Sequence, residues 1–147
     1  MFNWSTILPQ PNNSYSGSKI SLYYLVLLSC MFTFRGVVHY FLPDGGSGII
    51  AGIPLKTYPE GAVQSIITGF GVYGIYHLME AVLAWLTIFR WRALIPIFLL
   101  FVGINQLMGI ILITMKPLPV IPPGQIGVYL LFPITLVAFL LSIRQAK

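Results

Sequence analysis

Apolar residues come along this chain in four long runs, separated by short stretches rich in proline, glycine and charge. The runs cover 20–42, 70–89, 93–115 and 126–143. The first holds one charge, Arg35, the second holds one, Glu80, and the last two hold none. A helix rising about 1.5 Å per residue needs about 20 residues to cross a hydrocarbon layer of about 30 Å, so each run can span a bilayer, the last only just. Backbone groups in lipid must be satisfied within the segment, so runs of this length predict helices rather than strands.

The breaks are as informative as the runs. Pro43-Asp44-Gly45-Gly46 ends the first helix, because proline disfavours helix in the residue before it and glycine frees the chain to turn. Arg90-Trp91-Arg92 is a very short charged turn, which predicts that helices two and three form an antiparallel hairpin. Pro117, Pro119, Pro122 and Pro123 make the last connection stiff and extended. Pro96 falls in a first helical turn, where it is tolerated, and Pro133 falls inside the last helix, where a kink is expected. Residues 61–69 can extend the second helix outward. The predicted elements are a tail at 1–19 and a four-helix domain at 20–147, with helices at about 20–42, 66–89, 93–115 and 126–143. The outer loop, 43–65, carries the apolar stretch 49–55, too short to cross and too apolar for water, so it is expected to be an interfacial or re-entrant cap. The fold class is an all-α membrane protein, an antiparallel four-helix transmembrane bundle with an extramembrane cap loop.

Composition turns this pattern into an exclusion. The chain is 57% apolar and 7% Asp, Glu, Lys and Arg, against about 45–50% and about 25% in soluble domains. Three acidic and eight basic residues cannot clothe a water-exposed surface, and the bilayer is the expected partner. Eight cations also leave no basic stripe for a nucleic-acid backbone, so no nucleic acid is expected. The lone Cys30 allows no internal disulfide. Lys19, Arg90, Arg92, Arg144 and Lys147 fall on one side and only Lys56 and Lys116 on the other, which predicts cytoplasmic N- and C-termini. The polar first 19 residues do not read as a cleavable signal peptide. A tail of this composition is disordered unless something holds it, and a partner chain is the expected holder.

Two motif matches are discounted on context. Gly69-Phe70-Gly71-Val72-Tyr73-Gly74 has the spacing of a dinucleotide fingerprint, but it opens a membrane helix instead of following a strand, so close helix packing by small residues explains it better. Asn3-Trp4-Ser5 and Asn12-Asn13-Ser14 match the glycosylation acceptor pattern on a tail expected to face the cytoplasm. Trp4, Tyr15, Tyr23, Tyr24, Tyr58, Trp85 and Trp91 fall where interfacial aromatic belts are expected.

The polar residues within the runs remain: Arg35 and His39, His77 and Glu80, Asn105 and Gln106. Ionisable groups at bilayer depth cost at least about 2.5–3.5 kcal/mol each, so they are kept when paired, turned inward or used. Arg35 and His39 share a helix face, as do His77 and Glu80. Helical rise places Arg35 about 22 Å from the inner surface, His77 and Glu80 roughly 18 and 14 Å from it, and Asn105 and Gln106 about 18–20 Å. One buried cluster across three helices is therefore expected, with Arg35 reaching Glu80. Its structural reading is an Arg35–Glu80 ion pair with amide and imidazole hydrogen bonds holding the helices in register. Its functional reading makes Glu80 a proton carrier or base, Arg35 its charge partner, and His39 and His77 relay groups. Two imidazoles and a carboxylate also suit iron or zinc, but Arg35 opposes a second cation, and no metal is expected.

Arg35 and His39 in the first helix, with Gly71, Gly74 and Glu80 in the second, give the layout a resemblance to small four-helix membrane families such as the DoxX-like proteins. The resemblance covers about the first 90 residues and implies a fold, with no activity carried over. A bundle with so little extramembrane surface and no complete catalytic set is expected to be a non-catalytic accessory subunit of a larger membrane complex, without a cofactor. The alternative is a small redox protein that interacts with a quinone, or a proton-coupled one, using the polar cluster.

Overall fold

The computed structural model describes residues 8–118 and 120–144. The Asn3-Trp4-Ser5 match, Pro119 and Lys147 lie outside the described residues. Four helices, α1 (Lys19–Phe41), α2 (Glu60–Arg90), α3 (Ile95–Met115) and α4 (Pro123–Ile143), form an all-α bundle, with no strand among the described residues. All four are long and apolar enough to cross a membrane, so the chain is a multi-pass membrane protein by length and composition.

Local chemistry sets the helix ends. The Ser18 hydroxyl caps α1 by accepting from Ile20 N at 3.2 Å, and Pro43 follows its last turn. The start of α2 is Glu60, earlier than hydropathy predicts: a carboxylate in the first turn suits the helix dipole, and the polar residues 60–68 extend an established helix past its apolar span. Similarly, α4 begins at Pro123, with proline in the first turn. It then runs unbroken through Pro133.

The last turn of α2 is closed by the N-terminal segment. Thr87 O accepts from Trp91 N (3.2 Å), Ile88 O from Arg92 Nε (2.9 Å), Phe89 O from Asn13 Nδ2 (3.3 Å) and Arg90 O from Asn12 N (2.9 Å). The four carbonyls that a helix terminus leaves unpaired are thus all satisfied. Ser18 N donates to Leu141 O at 3.2 Å, tying the same strap to α4 and placing both ends of the described chain at one end of the bundle. From Gln10 onward the tail is hydrogen-bonded to the α2–α3 turn and to α4 of the same chain.

Packing is uneven. α1 lies along α2 and α3 along α4, while α2 and α3 approach each other at few points. The short Arg90–Arg92 turn returns α3 antiparallel to α2, as expected, but without close packing between the two. The reason is glycine on the other face of α2. A Cβ added at Gly74 would lie 2.7 Å from Tyr40 N and 3.0 Å from His39 C, and one at Gly36 would lie 2.9 Å from Leu78 N, so the α1 and α2 backbones meet directly. Gly69 and Gly71, the other glycines of the motif, face open space. The apolar core, with Leu25, Leu28 and Phe32 from α1, Ala81, Ala84 and Ile88 from α2, Ile95 and Leu99 from α3 and Ala138 from α4, lies in the half of the bundle nearest the termini.

The two helix pairs are joined by buried hydrogen bonds. Ser21 Oγ donates to Ala138 O at 2.7 Å, and Tyr24 Oη bonds Thr135 Oγ1 at 2.7 Å, both linking α1 to α4. Tyr24 is therefore a core residue, not the interfacial anchor its position suggests. Tyr24→Phe strands the fully buried Thr135 hydroxyl and is expected to cost about 1–3 kcal/mol of stability in detergent unfolding. The Tyr24→Phe/Thr135→Val double variant should cost less than the sum of the singles; strict additivity would show that the contact contributes nothing.

The cap loop folds around Asp44. Its Oδ1 accepts from Gly46 N (2.8 Å) and its Oδ2 from Gly48 N (3.0 Å) and Ile49 N (2.8 Å). Gly45 and Gly46 take φ of 60° and 75°, the left-handed region that glycine adopts without strain. Ile49 projects outward, 79% exposed. Partial burial pushes the Asp44 carboxyl up, but the backbone N–H donors of Ile49, Gly46 and Gly48 outweigh it and hold the group below its ordinary value. A depressed folded-state value means the stabilisation is present above the ordinary carboxylate range and is lost as pH falls through the lower one. Hydrogen exchange in the loop should therefore stay flat from neutral pH down to about 4 and accelerate only in stronger acid, once the intrinsic pH dependence of exchange is removed. Loosening that begins near pH 6 would contradict this.

Candidate functional site

The glycine contact between α1 and α2 brings their polar residues together. The last turn of α1 places His39 beside the start of the cap, where its Nδ1 donates to Gly45 O at 2.8 Å. Across the seam on α2, His77 Nδ1 donates to Glu80 Oε2 at 2.9 Å, an i,i+3 pair on one helix face. The two imidazole centroids are 6.3 Å apart, with Tyr73 4.4 Å from His77 and 5.6 Å from His39. Phe32 and Phe70 complete the aromatic surround, at 5.8 Å from His77 and 5.4 Å from His39. Both histidines are buried. With its Nδ1–H committed to Glu80, His77 Nε2 is buried with no hydrogen-bond partner among the described residues.

Asn105 of α3 donates from Nδ2 to the other Glu80 oxygen, Oε1, at 2.9 Å. This is a bond between the loosely packed pair α2 and α3, and it sits on the exterior: Asn105 is exposed and the Glu80 side chain is 29% exposed. Glu80 precedes the α2–α3 turn by three helical turns, about 15 Å, which is mid-depth in a bilayer.

Arg35 does not pair with Glu80. Its Nη2 lies 3.5 Å from Tyr73 Oη and its guanidinium carbon 5.5 Å from the Tyr73 ring centroid. A Cβ on Gly124, at the start of α4, would lie 3.1 Å from the same nitrogen, so the side chain runs toward the loop end of the bundle. Tyr73 and Glu80 are two turns apart on α2, about 10 Å, beyond the reach of one guanidinium. Helical rise gives the height of a Cα; it does not say which way a long side chain will run, and an arginine in a membrane carries its charge toward the interface. Glu80 takes its hydrogen bonds from His77 and Asn105 instead.

Gln106 separates from the group. It is buried on a different face of α3 from Asn105, in the region of Tyr24, with its Oε1 unpartnered among the described residues. Five of the six residues of the expected cluster thus stay in one contiguous group, in which Tyr73 bridges Arg35 to His39 and His77 and Glu80 joins His77 to Asn105; Gln106 alone leaves it for the α1–α4 joint. Sequence reasoning missed Tyr73, Gly36 and Thr135. The signal for Tyr73 was present, since it lies one helical turn before His77, on the face that carries the other polar groups.

Among the described residues no three His, Cys, Asp or Glu side chains converge in a way that could hold a metal ion. The central group sets two imidazoles side by side, His77 hydrogen-bonded to the partly exposed Glu80 and His39 to the cap backbone, with no hydrogen bond between the two rings. No protein-family model, curated protein or solved structure matches the chain.

Proposed function

We propose that the protein is a non-catalytic accessory subunit of a larger membrane protein complex. The observation that supports this reading is the Glu80–Asn105 pair, a carboxylate and an amide on the outer surface of the bundle at mid-depth. Exposed polar groups there are costly against lipid, and asparagine side chains hydrogen-bond across helices. A neighbouring transmembrane helix laid along the α2–α3 seam removes them from lipid and supplies the missing packing. In native membranes, a single cysteine introduced by Asn105→Cys in a Cys30→Ser chain should crosslink to neighbouring subunits, and one introduced by Leu130→Cys on α4 should not. Crosslinking from neither position, or equally from both, would remove the assignment.

One observation favours a second reading, a small proton-coupled or quinone-interacting protein. His77 Nε2 is buried and unpartnered between Glu80 and His39, where a transient proton could be held. Reconstituted into vesicles containing a pH-sensitive dye, the native protein should then conduct protons and the Glu80→Gln and His77→Asn variants should not. Absence of flux through the native protein, or equal flux through the variants, would eliminate this reading.

A further inference from the structure

We propose that the end of the bundle carrying the termini binds an anionic phospholipid headgroup, with Arg90 and Arg92, on either side of Trp91, as the phosphate ligands. Charge placement comes first. Lys19, Arg90, Arg92 and Arg144 gather at this end, while the chain's three Asp and Glu side chains are elsewhere: Asp44 in the cap loop, Glu60 at the loop end of α2 and Glu80 at mid-depth. No aspartate or glutamate neutralises these cations. A cluster of uncompensated cations beside a transmembrane helix end attracts anionic headgroups, by about 1 kcal/mol for each cation near the surface.

Geometry distinguishes this from loosely scattered charge. The turn between α2 and α3 is fixed by the N-terminal strap: Arg90 O accepts from Asn12 N, Ala93 N donates to Asn12 O at 3.3 Å, Arg92 N donates to Asn13 Oδ1 at 3.4 Å, and Trp91 Nε1 donates to Gln10 O at 3.1 Å. Upon this platform the two guanidiniums are held differently. Arg92 is anchored by Nε to Ile88 O, and its terminal nitrogens make no hydrogen bond among the described residues. Arg90 stacks over Trp91 at 5.4 Å, and its Nε is buried with no partner among the described residues. A phosphate diester supplies acceptor oxygens for both forks. Below the turn, Phe89, stacked on Trp85 at 5.5 Å, and Leu94 and Ile97 present an exposed apolar wall on the membrane side, suited to the acyl chains of the same molecule. That wall favours a lipid over free phosphate, which shares only the headgroup chemistry.

The experiment measures lipid retention by the full chain in nanodiscs and in native mass spectrometry, with phosphatidylglycerol and phosphatidylcholine as the two probes. The native protein should retain phosphatidylglycerol preferentially, release it as salt rises, and keep it against inorganic phosphate. R90Q/R92Q should lose roughly thirtyfold in affinity, the equivalent of two cations at about 1 kcal/mol each. K56Q/K116Q, which removes the same charge from the opposite end, should change little. Should R90Q/R92Q fail to fold, R90K/R92K serves instead: it keeps the charge without the planar fork, and should still weaken retention severalfold. Equal retention of the two lipids, displacement by inorganic phosphate at comparable concentration, or unchanged retention in R90K/R92K would each overturn the proposal.

Discussion

Gly74→Ala is expected to lower the stability of the folded bundle by about 1–3 kcal/mol, the usual cost of forcing a methyl group into a packed site. The added Cβ would lie 2.7 Å from Tyr40 N and 3.0 Å from His39 C, and neither backbone atom can rotate away as a side-chain tip can. Relief requires α1 and α2 to separate along the seam that also positions His39 and His77. Gly71→Ala, three residues earlier on the same helix, has open space around its new methyl. It should be neutral or slightly stabilising, because alanine is the better helix former. Unfolding in detergent, followed by helical circular dichroism, separates the two variants. Equal stabilities for Gly74→Ala and Gly71→Ala would mean that the α1–α2 backbone contact does not hold the pair together.

A second large loss is expected from Glu80→Leu. It leaves two donors without acceptors: Nδ1 of the buried His77 and Nδ2 of Asn105. A stranded buried donor costs about 1–3 kcal/mol. Glu80→Gln should be milder, since an amide oxygen can still accept from one of them. Combining either change with Arg35→Gln should give losses that add to within about 0.3–0.5 kcal/mol, as for sites without shared partners. An ion pair would behave differently, because removing one charge leaves the other unpaired and removing both relieves it. Coupling of more than about 1 kcal/mol between positions 35 and 80 would restore the direct pair and contradict the placement of the guanidinium at Tyr73.

Most of the architecture could be read from the chain in one dimension. Runs of about 20 apolar residues can satisfy their backbone in lipid only as helices, so the number and class of elements follow from length and hydropathy. Helix ends were less legible where polar residues continue an established helix, as at Glu60, or where proline opens one, as at Pro123. The Pro43 stop is a local signal and lies where the pattern puts it.

The candidate site was legible in membership and not in pairing. Rarity marked Arg35, His39, His77, Glu80, Asn105 and Gln106, since each is expensive inside a bilayer. Which of them meet depends on rotation and tilt, and a charge inventory contains neither. Asn105 and Gln106 are neighbours in sequence, yet a rotation of about 100° between successive helical residues sends one to Glu80 at the surface and the other to the buried joint with α4. Likewise the turn at Trp91 dictates that α3 returns alongside α2, but the glycines at 36 and 74 decide that α2 gives its close contact to α1. The sequence by itself determined four membrane-spanning helices, their breaks and the set of polar residues kept among them, because those depend on local length, hydropathy and turn chemistry. Only the tertiary structure decided the helix pairs, the strap that closes α2 and the separation of Arg35 from Glu80, because those depend on where backbones can touch and which way long side chains run.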